Sequence, residues 1–74
     1  MPLIQVKVIE NVFTPEQKSQ IIAKLTDAIV SIEGENLRPA TLVVLEEVRS
    51  GEWAVGGHAF TTDAVHAMAA GKKQ

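Results

Sequence analysis

The run Thr14-Pro15-Glu16-Gln17 stands between two segments patterned as strands, and that arrangement constrains this chain more than any other feature. Thr14 suits the N-cap of a helix and Pro15 its first position, while Gln17 can close a capping box by reaching back to the Thr14 amide. Ile21, Ile22, Leu25, Ala28, Ile29 and Ile32 then recur at three- and four-residue spacing, which predicts one apolar stripe along the helix. Gly34 is placed to end it as a left-handed cap. Upstream, residues 3–9 read L-I-Q-V-K-V-I, with Ile4, Val6 and Val8 on one face and Leu3, Gln5, Lys7 and Ile9 on the other. Downstream, Arg38-Pro39 breaks the backbone before residues 41–48, T-L-V-V-L-E-E-V, whose apolar start is typical of a strand covered on both faces.

Strand, helix and strand make a βαβ unit, so the fold class is α/β, with two parallel strands joined by a right-handed crossover. One helix covers only one face of such a sheet, and parallel sheets are stable almost only when both faces are buried. The second face is therefore expected to meet another subunit. The 74 residues make a single domain (1–74) with a small core, and the absence of cysteine excludes disulfide staples, thiolate nucleophiles and cysteine zinc sites. Oligomerisation is the remaining route to stability.

After the second strand, Gly51 and the Gly56-Gly57 pair bracket a short apolar piece, as in a tight hairpin or a strand with turns at each end. Thr61 or Thr62 can cap a short final helix at 63–70, ended by Gly71, with Val65, Met68 and Ala69 on its apolar side. No basic start with a long apolar stretch marks a signal peptide, and no membrane span is present, which predicts a cytoplasmic protein. The net charge is -2 with scattered Lys and Arg, apart from Lys72 and Lys73, which argues against nucleic acid as a partner. A small molecule or another copy of the chain is the expected partner.

No glycine-rich loop follows a strand and opens a helix, so dinucleotide and phosphate-loop chemistry have no foothold. His58, Asp63 and His66 supply one pair at helical spacing and no third ligand, so no metal is expected; His58 reads as a turn residue and His66 as a solvated helix position. Glu46 and Glu47 are strand neighbours that point to opposite faces and cannot act as an acid/base dyad. Trp53, the only tryptophan, reads as a packing residue or as a wall of a pocket or subunit contact. Pro2 is different in kind. Methionine before proline is ordinarily removed in cells, which exposes a secondary amine, and apolar walls lower the pKa of such an amine toward the working range of a base. Leu3, Trp53, Val55 and Phe60 are candidate walls.

Pro2 with P-L-I-Q-V, the βαβ unit, E-Q-K at Glu16 to Lys18, and Trp53 followed by Gly56-Gly57 together resemble the 4-oxalocrotonate tautomerase family, over Pro2 to about Gly57. The resemblance implies a βαβ fold completed by oligomerisation into a homohexamer, a trimer of dimers. It implies a cofactor-independent isomerase of aromatic degradation, in which Pro2 is the general base that moves a proton on a small enol or dienol carboxylic acid and Trp53 is the active-site aromatic. The arginines that the family uses to hold substrate carboxylate and keto oxygens fall on Val12 and Leu42 here. Arg38 and Arg49, which flank the second strand, are the candidate substitutes, reaching the pocket from a neighbouring subunit, with Lys7 as a further cation; the alternative reading of each is a solvated surface charge. Two other readings follow from those departures: a catalytically silent or structural subunit of a mixed oligomer, and a promiscuous hydratase or dehalogenase. The hydrating members use a carboxylate near the aromatic, and here Ala54 and Val55 follow Trp53 while Glu52 precedes it.

Overall fold

A computed structural model describes residues 2–71. Strands β1 (Leu3–Ile9) and β2 (Leu42–Val48) pair in parallel, from Leu3 opposite Leu42 to Ile9 opposite Val48. Because side chains alternate along a strand, this register decides the two faces of the sheet. Ile4, Val6 and Val8 are half-buried with Val43 and Leu45, whereas Leu3, Gln5, Lys7, Leu42, Val44 and Glu46 are exposed on the opposite face. Glu46 and Glu47 separate as expected: Glu46 pairs with Lys7 on the open face (3.4 Å) and Glu47 with Lys18 of the helix (3.3 Å).

The crossover helix α1 (Pro15–Glu33) starts on the predicted capping box. Thr14 Oγ1 accepts from the Gln17 amide at 3.1 Å, and Gln17 Oε1 accepts from the Thr14 amide at 2.9 Å. The buried stripe differs from the expected one. Ile21, Leu25 and Ile29 are half-buried, but Val30 is the most buried residue of the helix at 3% exposure, while Ile22 and Ala28 are exposed and Ile32 is 87% exposed. Two strands cover only part of the helix, which packs chiefly against β2. Lys18 reaches Glu47, and the half-buried Glu33 carboxylate accepts from the Thr41 hydroxyl.

Gly34 ends the helix, its amide donating to the Val30 carbonyl at 2.8 Å, but φ 103° and ψ 154° are not the left-handed helical cap that the sequence suggests. The chain instead swings outward into a 3-10 helix (Glu35–Ala40) that contains Arg38-Pro39, through a conformation open almost only to glycine. β2 accordingly begins one residue later than expected, since Thr41 still donates its amide to the Arg38 carbonyl.

Strands β3 (Trp53–Val55) and β4 (His58–Phe60) form an antiparallel hairpin, with Trp53 opposite Phe60. Gly56 and Gly57 turn it with φ 59° and 83°, the pair of positive values that a two-residue hairpin turn demands. His58 therefore opens a strand rather than sitting in the turn. The final helix α2 (Thr62–Ala69) is capped by Thr61, whose hydroxyl accepts from the Ala64 amide, one residue ahead of the expected bounds. Polar hooks hold α2 to the end of β1. The Thr62 hydroxyl donates to the Glu10 carbonyl (2.6 Å), the Thr62 amide to Ser50 Oγ, and His66 Nε2 lies 2.8 Å from the Asn11 carbonyl. His66 is thus an anchor as well as an exposed position.

Among the described residues only Ile9, at 7% exposure, and Val30 are buried apolar residues. No helix among them is long and apolar enough to cross a membrane.

Candidate functional site

Pro2 is half-buried just before β1, and its carbonyl accepts from the Leu42 amide at 3.1 Å. Leu42, where the sequence comparison expects an arginine, is thus directly beside Pro2, and its side chain is 51% exposed. The removal of Met1 expected from the sequence concerns a residue outside those described.

Arg38 reaches the same end of the sheet, because the Thr41 amide bonds its carbonyl, but its side chain is already engaged. Nε and Nη2 each donate to Glu35 at 2.9 Å and Nη1 donates to Asp27 at 2.8 Å. The Glu35 hydrogen bonds, then that of Asp27, push the guanidinium pKa up, and the Arg38 hydrogen bond holds the Glu35 carboxyl below the usual range. Three of the five guanidinium N–H groups are thus engaged within the chain, by two exposed carboxylates, and one on each of Nη1 and Nη2 is left over. Arg49 stands at the opposite end of β2, exposed, with its carbonyl accepting from the Glu52 amide and with no ion pair among the described residues.

Trp53 stands at that opposite end. It lines an open cavity of about 510 Å³ together with Lys7, Val8 and Ile9 from the last residues of β1 and Phe60 from β4. Val12 and Phe13 form a second wall, turned inward by Asn11, which takes φ 61°, a value that asparagine tolerates better than most side chains. The third wall is α2, through Val65, Met68 and Ala69. Among the described residues Lys7 is the one charged residue of the lining, with its ammonium 3.4 Å from Glu46. Glu52 is exposed and outside the lining, so no carboxylate stands in this cavity to activate water.

Pro2 does not line this cavity. An extended strand rises about 3.3 Å per residue, so five residues of β1 put roughly 16 Å of backbone between Pro2 and Lys7. Trp53 and Phe60 are therefore not walls around the Pro2 of their own chain, because β1 keeps its two ends apart; as walls around a Pro2 they would have to come from another copy. The stripe of Val65, Met68 and Ala69 was visible in the sequence; that it would face Val12 and Trp53 was not, since this depends on the polar hooks to Glu10 and Asn11. Among the described residues no three His, Asp or Glu side chains cluster closely enough to hold a metal ion.

Comparison with known proteins gives one family. The Tautomerase enzyme family matches residues 2–63. A probable tautomerase of Dickeya dadantii is 37% identical over 62 residues, spanning 82% of this chain and 90% of that protein. A probable tautomerase of Staphylococcus epidermidis is 39% identical over 57 residues, spanning 77% and 90%. The solved structure of YwhB, a homologue of 4-oxalocrotonate tautomerase, matches with a TM-score of 0.69 at 33% identity, covering 78% of this chain and 92% of that one. TomN, a 4-oxalocrotonate tautomerase homologue in the tomaymycin biosynthetic pathway, matches with a TM-score of 0.72 at 28% identity, covering 92% and 95%.

Proposed function

The chain belongs to the tautomerase family, and on that premise we propose that it is a cofactor-independent isomerase with Pro2 as general base, acting on a small 2-oxo or 2-hydroxy-unsaturated carboxylic acid. One observation carries the reading: the family match begins at Pro2, and Pro2 sits half-buried at the head of the strand that organises the fold. With Met1 removed, its neutral secondary amine takes a proton from the 2-hydroxyl of the enol, and the resulting ammonium returns it to a carbon of the conjugated chain. One group serves as base and then as acid, and no atom is gained or lost.

The working form in this reading is a homohexamer, a trimer of dimers. Two features support assembly: the exposed Leu3, Leu42 and Val44 on the open face of the sheet, and the separation of Pro2 from Trp53 within one chain. Trp53 reaches a Pro2 only if it belongs to another copy. The reaction is placed in the cytoplasm, and a role in aromatic degradation belongs to the same proposal.

Pro2→Ala replaces the constrained secondary amine with a less basic, freely rotating primary amine and is expected to lower kcat/KM for enol acids by about 10²-fold, the lower end of the usual worth of a general base. Intact mass confirms Met1 removal in both proteins before the assay. Equal rates for the two would refute the reading and favour a catalytically silent subunit of a mixed oligomer, which the apolar Val12 and Leu42 and the paired Arg38 also suggest.

A further inference from the structure

The cavity at the Trp53 end contains the position where a carboxylate-binding arginine is expected, and that position is Val12. Its far wall is built by Val65 and Met68 of α2, both beyond residue 63, where the family match stops. Residues inside and beyond the family match thus converge on one apolar volume. We propose that this cavity binds the hydrocarbon or aryl tail of a monocarboxylic substrate, and that Val65 and Met68 on α2 determine that specificity. The proposal rests on the reading of Pro2 as base, supplied to the cavity by another copy.

The physical argument is one of charge and volume. A diacid needs a cationic partner for each carboxylate, and one left without a partner among Val12, Phe60 and Met68 loses its hydration without recompense. Among the described residues Lys7 is the one cation in the lining and is shared with Glu46; Arg38 is held by Asp27 and Glu35, and Arg49, at the same end as Trp53, is not part of the lining. A monoacid asks for one cation and fills the rest with carbon. A cavity of about 510 Å³ is within the range of small-molecule sites and has room for a ring, and each methylene placed in an apolar pocket is worth at least about tenfold in selection.

Trp53, the only tryptophan, lies in the cavity wall and reports occupancy directly. The assembled protein, as wild type and as Pro2→Ala, is titrated by tryptophan fluorescence with 3-phenylpropionate and with adipate, neither of which can tautomerise. The expected result is saturable binding of 3-phenylpropionate at least about tenfold tighter than adipate in both proteins, since one unpartnered carboxylate replaces buried carbon. Met68→Glu is expected to weaken 3-phenylpropionate at least fivefold, an order-of-magnitude expectation for a charge placed on an apolar wall, while Ser19→Glu on the exposed side of α1 leaves it unchanged. Adipate binding as tightly as 3-phenylpropionate would overturn the proposal, as would a fluorescence that neither acid changes because a neighbouring copy already fills the cavity. The two-probe comparison needs no variant to fold. It is also independent of proton transfer: failure of the Pro2 reading would leave the binding difference in place, and failure of the cavity reading would leave the Pro2→Ala rate effect in place.

Discussion

At its first residue β1 adjoins Pro2, whose carbonyl is tied to Leu42 and whose nearby arginine is paired with Asp27 and Glu35; at its last residues β1 forms the floor of an apolar cavity in which Trp53 stands. The Pro2 end has the candidate base and an arginine paired within its own chain. The Trp53 end has the volume, with Lys7 as the one charged lining residue among those described. They also differ in how they are held together. The Pro2 end is fixed by the parallel ladder, the buried Val30 and the Gly34 cap, whereas α2 at the Trp53 end is fastened by hydrogen bonds from Thr62 and His66 to Glu10 and Asn11. In the proposed function neither end is a site alone: the parts of one site stand at opposite ends of a strand, and assembly joins them.

The comparison predicts unequal responses to packing changes. Val30→Ala removes two carbons from the most buried position and is expected to cost about 2 kcal/mol in denaturant unfolding, through lost transfer energy and a residual cavity. Ile32→Ala, two residues on and 87% exposed, should stay within about 0.5 kcal/mol. A loss at Ile32 as large as that at Val30 would mean that a neighbouring copy covers this end of the helix, and would place an interface there.

At the Trp53 end the test is smaller and more local. Thr62→Val deletes the hydroxyl that donates to the Glu10 carbonyl and should cost about 1 kcal/mol, the usual net worth of one such bond. The tryptophan emission should shift to the red as α2 loosens over the cavity, while the unfolding effect of Val30→Ala adds independently. An unchanged emission would show that α2 keeps its place without that hook.

The βαβ unit was legible because each of its signals is local: alternation in β1, the Thr14 to Gln17 capping box, and the apolar start of β2. The hairpin was legible from Gly56-Gly57, since a two-residue turn needs two positive φ values. What sequence could not give was the rotation of the α1 stripe from Ile22 and Ile32 toward Val30. That depends on how the helix lies against β2, a tertiary contact that no local signal in its sequence sets. The path at Gly34 escaped for a similar reason, because glycine permits several positive-φ conformations and the following 3-10 helix chooses among them. For the site, Pro2 and Trp53 could be named from the sequence but not located relative to one another. Their separation follows from the length and extension of β1, and the engagement of Arg38 within the chain follows in part from Asp27, eleven residues away on another element.

The central claim is that Pro2 of one copy works with Trp53 of another. Pro2→Ala and Trp53→Ala chains, each purified and shown to be impaired, are unfolded together, refolded as mixed oligomers and assayed on an enol acid. If the two residues meet across a subunit boundary, random mixing restores about a quarter of the sites to the full pair, and activity rises well above the mean of the two separate variants. Activity equal to that mean, in oligomers shown by native mass to contain both chains, would contradict the account.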